Sequence, residues 1–300
     1  MKIKYFSSCI TPGILLRIAG IIATAAVLSA CSMGQMVVRG SQTILDSGSE
    51  AMNRETDLQL AEAAIPANLK LIEGMLIEDP DNRELLLFAA EGFYGYGYGF
   101  IELDDPARAA ALYRRCQDYA LRALALDGIQ IDPGTASEAA LQTATAGAGK
   151  GSVPALFWAA SCLAQEINLN RDDIASIAGL SGAAVLMQRV MELDNEYYYG
   201  GAHLFFGVYY GGRSPMFGGD FSRAEQNFQR AAEINNNRLL MVDLLQAEYL
   251  HRQQLDRSAF HEQLVSIVEA PDDLYPEMAL VNAIAKQRAA RLLTLEEEWF

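Results

Sequence analysis

The 300-residue sequence contains three histidines, two tryptophans and four cysteines, and its 23 Lys+Arg face 38 Asp+Glu. Each scarcity excludes something. His203, His251 and His261 show neither the i, i+4 spacing nor the acidic companion of a zinc site, so neither metal nor other cofactor is expected. With so few cations at a net charge of −15, a nucleic-acid partner is excluded, as is a polybasic grip on anionic lipid. The longest apolar run, Ile18 to Ala30, is too short for a comfortable membrane span. No Walker loop is present. GYGYG at 95–99 follows no strand and is not a dinucleotide fingerprint. Ser161-Cys162 has no partner base in reach by sequence. The acidic pairs Asp104-Asp105, Asp172-Asp173 and Asp272-Asp273 sit where helices should start, which capping and the helix dipole explain. Glu296 to Glu298 reads as a solvated end. No catalytic constellation emerges, and an enzyme is not expected.

What is present begins with a leader. Lys2, Lys4 and Arg17 precede the apolar run, which ends in Leu28-Ser29-Ala30-Cys31. Small residues before a cysteine resemble the lipobox of bacterial lipoproteins. That resemblance implies cleavage before Cys31, a lipid on its sulfur and a stable anchor once two or more chains are attached. Ser32, rather than Asp, at the next position implies the outer membrane. Removing 1–30 as a signal peptide takes away three cations and no anion, leaving a charge of −18. Of the remaining cysteines, Cys116 and Cys162 lie in apolar-periodic helical segments. A disulfide between them is possible, but separate small core residues are the favoured reading.

Residues 31–49 carry Gly and Ser without a clear period and read as a lipidated tether. Helical signals start near Glu50 and continue to the end, giving a 50–300 domain. Pro66 suits the first position of a helix that stops at Asp79-Pro80. FYGYGYGF at 93–100 alternates like a strand, but a second copy argues for helix. With an offset of 115, Gly92 falls on Gly207, Tyr94 on Tyr209, Gly97 on Gly212, Ala109 on Ala224, Tyr113 on Phe228, Cys116 on Ala231 and Asp79 on Asp194. Each copy reads helix, turn, helix, with a small–aromatic–small pattern in the second helix. Gly92, Gly95 and Gly99 are expected to form one smooth packing strip, with Tyr94 and Tyr98 on another face. Ala183, Met187 and Val190 mark a degenerate third unit. The pattern resembles tetratricopeptide repeats with an extended turn. The expected fold is all-α, a tetratricopeptide-like array of about eleven helices.

Aromatic residues concentrate at 93–100 and 197–210. Repeat packing accounts for most of them, but rings distributed around a helix cannot all face one seam, and the remainder should border a groove or pore. The candidates for a ligand or pore wall are Tyr94, Tyr98, His203, Phe206 and Tyr210, although spacing alone favours His203 as an interior histidine. Between the second pair of helices, GGRSPMFGG at 211–219 offers Met216 and Phe217. They either tuck under a neighbouring repeat or form an exposed docking knob. Gly218 and Gly219 supply unusual dihedrals, and Asp220 resembles an N-cap.

The lipobox, PANLKLIEGML, GFYGYGYGFIE and GGAHLFFGVYYGGRSPMFGGDFSRAEQNFQRAAEIN together resemble the T component of TRAP transporters, the TatT-like lipoproteins, over about residues 50–295. The resemblance implies an all-helical periplasmic protein able to form a homotrimer. It also implies a pore or clefts, association with the solute-binding P component and a hydrophobic ligand. A lipid-anchored tetratricopeptide scaffold for envelope protein assembly is the alternative.

Overall fold

The computed structural model describes residues 33–170 and 174–300. Residues 1–30, read as a signal peptide, together with Cys31 and the Asp172-Asp173 pair lie outside them. All regular structure among the described residues is helical, in fourteen helices rather than about eleven.

Helices α1 (Met33–Gly40) and α2 (Gln42–Asn53) occupy the stretch read as an aperiodic tether, so helix begins at Met33 instead of near Glu50. Short amphipathic turns rich in Gly and Ser show no period over a long window. Contacts supply what propensity lacks: Val38 is buried and Arg39 pairs with the buried Asp79 at 2.9 Å. The next helix, α3 (Leu58–Glu78), starts at an Asp57 cap that accepts from the amides of Gln59 and Leu60. Pro66 therefore lies inside α3 and not at its first position. Its missing N–H removes one ladder bond, and the cap with the buried Leu69, Ile72 and Leu76 holds the helix through it.

After the Asn82 cap, α4 (Arg83–Tyr96) runs into a π-helical turn, Gly97–Ile101. The segment 93–100 is thus helical, as the second copy required. Its partner is α5 (Pro106–Leu126), capped by Asp105. Then follow α6 (Glu138–Thr145), α7 (Val153–Leu169), α8 (Ile174–Leu193), α9 (Tyr197–Gly211) and α10 (Phe221–Ile234), the last capped by Asp220. Next, α11 starts at Leu240, passes through a second π turn at Ala247–His251 and ends at Gln254. The chain finishes with α12 (Arg257–Glu269), α13 (Ala279–Thr294) and α14 (Glu296–Trp299).

The α4–α5 and α9–α10 pairs carry the 115-residue offset into three dimensions. Asp105 and Asp220 cap equivalent helices, accepting from the amides of the equivalent Arg108 and Arg223, each at 3.0 Å. Tyr113 and Phe228 are both buried at the seam of their pair. They differ in register: Tyr113 rests on Gly97, whereas Phe228 rests on Gly207.

Cys116 and Cys162 are not separate core residues but a buried disulfide between α5 and α7. Small residues along this seam bring the backbones together, and the two Cα atoms are 5.9 Å apart, inside the bridging range. Helix packing runs α3 to α4, α4 to α5, α5 to α7, α7 to α8 and α9 to α10, then to α11 and α13. Helix α13 also contacts α2 and α3, where Ala61, Leu280 and Ile284 form a small core. The succession of pairs thus returns to its start and borders a space. At the far end, Glu296 is buried instead of solvated. It pairs with Arg257 at 2.7 Å and His261 at 2.7 Å, while Glu297 and Glu298 remain exposed.

Candidate functional site

That space is a partly open cavity of about 410 Å³ bordered by α4, α7, α9, α11 and α13. Its wall is mostly ring and aliphatic surface. Tyr94 of α4 and Tyr98 of the π turn that follows it lie against each other at 6.3 Å with nearly parallel rings. Trp158 packs on Tyr94 from one side and edge-on to Tyr198 at 4.8 Å from the other. Phe205 and Tyr209 of α9 stack at 5.9 Å along the next wall, and Met241, Val281 and Ile284 complete it.

Three departures from regular helix face this space. The first π turn carries Tyr98 and the second carries Tyr249. A π turn inserts one residue and rotates everything after it, a device frequent at functional positions. The third is at the start of α9, where Tyr198 (φ 49°), Tyr199 (φ 59°) and Gly200 (φ 76°) are all left-handed. Each non-glycine residue there costs on the order of 1–2 kcal/mol, so the surroundings must hold them. Tyr198 donates to Glu91 at 3.0 Å and packs on Phe157 and Trp158. Asn235 donates to the Tyr199 carbonyl at 2.7 Å. A β-carbon at Gly200 would lie 2.9 Å from Ile234, so glycine is required for space as well as dihedral.

Behind the Tyr98 wall lies a buried charge pair. Arg288 donates to Glu102 at 2.9 Å and to the Tyr98 carbonyl at 2.9 Å. Glu102 also accepts from Gln165 at 2.7 Å and from the Tyr113 hydroxyl. Every partner the two charges need is present, which is the condition for burying them. Burial, with Glu102 adding to it, pushes the Tyr94 phenol above its ordinary range. Burial also pushes Tyr98 well up, Arg288 countering in part. Both hydroxyls stay protonated at any ordinary pH. Burial likewise raises the Glu91 carboxyl, with the Tyr198 bond opposing.

Of the five residues expected on a ligand or pore wall, Tyr94 and Tyr98 line the cavity. His203, Phe206 and Tyr210 stand on the next face of α9. His203 Nδ1 lies 3.0 Å from Asn227 Oδ1 on α10. Phe206 is buried against Tyr210, whose ring carries the Arg223 guanidinium at 3.9 Å. The cavity face of α9 is instead 201, 204, 205, 208 and 209. Aromatic doublets at 205–206 and 209–210 fit either phase, so periodicity alone could not choose between them. The glycine strip also divides. A β-carbon at Gly92 would meet Leu69 of α3, one at Gly99 would meet Ile284 of α13, and Gly95 borders the open space. Arg213, Trp158 and Tyr249 were not among the candidates.

The loop after α9 folds a 3₁₀ turn at Pro215–Phe217, closed by left-handed Gly218. Met216 and Phe217 are 89% and 76% exposed, so they do not tuck under a neighbouring helix. Among the described residues no His/Cys/Asp/Glu group is arranged to hold a metal, and no helix is long and apolar enough to cross a membrane.

An all-helical chain closed around an aromatic cavity defines the class of protein. The sequence model of the family described as TRAP transporter T-component matches residues 54–300, and the chain belongs to that family. It is thereby a transport-associated protein, an accessory component of a TRAP system. No curated protein matches it.

Proposed function

We propose that this protein is a lipid-anchored periplasmic accessory that holds an apolar or organic-acid ligand in its aromatic cavity and presents it to the solute-binding P component. Lipid on Cys31 fixes it to the membrane, most simply the outer one, and the assembled form is a homotrimer, as the family resemblance implies. Met216 and Phe217 form the docking knob. The observation that carries this reading is the cavity: a volume within the size range of small-molecule sites, lined by rings with few polar groups.

Native mass measurement of protein extracted from membranes tests all parts together. The expected species carries acyl mass at Cys31, three copies, a retained small molecule and a bound P component. Phe217→Asp should abolish P-component capture while leaving the melting temperature unchanged. A protein that captures no P component and retains no small molecule would refute the reading.

A further inference from the structure

We infer that the ligand of this cavity is an amphiphile with a single carboxylate end, and that Arg213 receives that end. The inference rests on the cavity being a ligand site, as proposed above. Arg213 is the only Lys or Arg among the described residues of the wall, and no Asp or Glu lines it. In a chain with net charge −15, a cavity whose one formal charge is positive runs against the composition.

The arginine is also held in a fixed pose. Its Nε donates to the Tyr209 carbonyl at 3.0 Å, and its guanidinium lies 3.9 Å above the Tyr209 ring. Seven other arginines lie over rings, and two of them, Arg115 and Arg288, also pair with a carboxylate. Arg115 lies 4.2 Å over Phe93 and pairs with Glu73. Arg288 lies 3.9 Å over Tyr98 and pairs with Glu102. Arg213 forms no ion pair with any carboxylate among the described residues. Its backbone and ring contacts occupy one edge and one face, leaving the two terminal amino groups as a fork. That fork matches the two oxygens of a carboxylate. A dianionic phosphate would remain half-neutralised by a single cation in an apolar surround, so a monoanion fits better.

The remaining wall fixes the rest of the ligand. The rings of Tyr94, Tyr98, Trp158 and Phe205 offer apolar contact for the body of the ligand, and the polar side chains that share the wall, Ser161, Gln165, Asn168 and Tyr249, carry no formal charge. At about 30 Å³ per water-sized atom, the 410 Å³ volume accommodates roughly a dozen heavy atoms. A saturated ten-carbon acid has that size.

Calorimetric titration of the full chain with decanoate, decan-1-ol and decyltrimethylammonium tests the inference. Decanoate should bind about tenfold or more tighter than decanol, since a hydrogen bond to a charged group contributes about 1.5–3 kcal/mol, and the cation should bind weakest. Arg213→Gln should bring decanoate to the decanol level while decanol affinity stays unchanged, and Arg213→Lys should keep part of the preference. Equal binding of decanoate and decanol overturns the carboxylate assignment but leaves the cavity as an apolar site. If Arg213→Gln weakens decanol as much as decanoate, the residue shapes the wall and receives no charge. Absence of binding by all three overturns both this inference and the ligand-holding role beneath it.

Discussion

Phe228 lies so close to Gly207 that a β-carbon on the glycine would sit 2.8 Å from two atoms of the ring. The contact locks α9 to α10, and its counterpart places Tyr113 3.1 Å from a β-carbon at Gly97. Gly207→Ala must displace a buried ring. Overpacking of this kind costs about 1–3 kcal/mol, more than the roughly 1 kcal/mol gained in helix propensity. Thermal unfolding should show Gly207→Ala melting a few degrees lower. Gly95→Ala, with nothing within 4 Å of the new atom, should melt no lower than the parent. Equal behaviour of the two would mean that the close approach does not hold the pair together.

Arg288 joins the last long helix to the first π turn across nearly the whole chain. Arg288→Met leaves Glu102 buried at 7% exposure with its cation gone. Losing one member of such a pair costs about 3–5 kcal/mol. Adding Glu102→Gln should restore part of the loss, because the unpaired charge disappears. Denaturant titration of the two single variants and the double checks this: additive losses would deny the coupling.

Glu73 ties α3 to α5, accepting from Lys70 at 2.6 Å, from Tyr119 at 2.7 Å and from Arg115. Burial alone would raise its carboxyl, but these donors outweigh it and hold the group at about 2, against an ordinary 4.5. Because the folded value is the lower one, the contribution is complete above the ordinary value and is lost as pH falls towards about 2. Stability measured across that window should fall less steeply for Glu73→Gln than for the parent. Parallel slopes would show that the carboxylate adds nothing.

The Cys116–Cys162 bridge closes a segment of 46 residues between α5 and α7. Chain-entropy arguments assign a loop of that size about 4 kcal/mol. Cys116→Ala with Cys162→Ala should therefore fold with a lower melting temperature that reductant no longer changes, whereas reductant should lower that of the parent. A parent indifferent to reductant under unfolding conditions would contradict the pairing.

The sequence made legible whatever depends on local chemistry. Asp105 and Asp220 announce their helices, and the offset that relates them predicted the helical state of 93–100 against its strand-like alternation. Positions set by phase or by distant contacts were harder to read. The left-handed Tyr198 and Tyr199 reset the start of α9, so the ring doublets at 205–206 and 209–210 could not be assigned to a face. Pro66 resembled a beginning because the true cap, Asp57, lies a little over two turns earlier. Helices α1 and α2 depend on Val38 and on Arg39 reaching Asp79, 40 residues away, which no local window contains. Glu296 is buried by His261 and Arg257 for the same reason. Arg213 could be read in the punctuated loop, but its isolation from carboxylates is a property of the fold.

The wall of the cavity is collected from Tyr94 through Ile284, and the arginine that braces Tyr98 arrives 190 residues after it. A nascent chain therefore emerges with its α4 rings bare, and no intermediate stage of synthesis possesses the finished chamber. The chamber is complete only once the last long helix has been delivered, and a chain stalled midway keeps those rings uncovered.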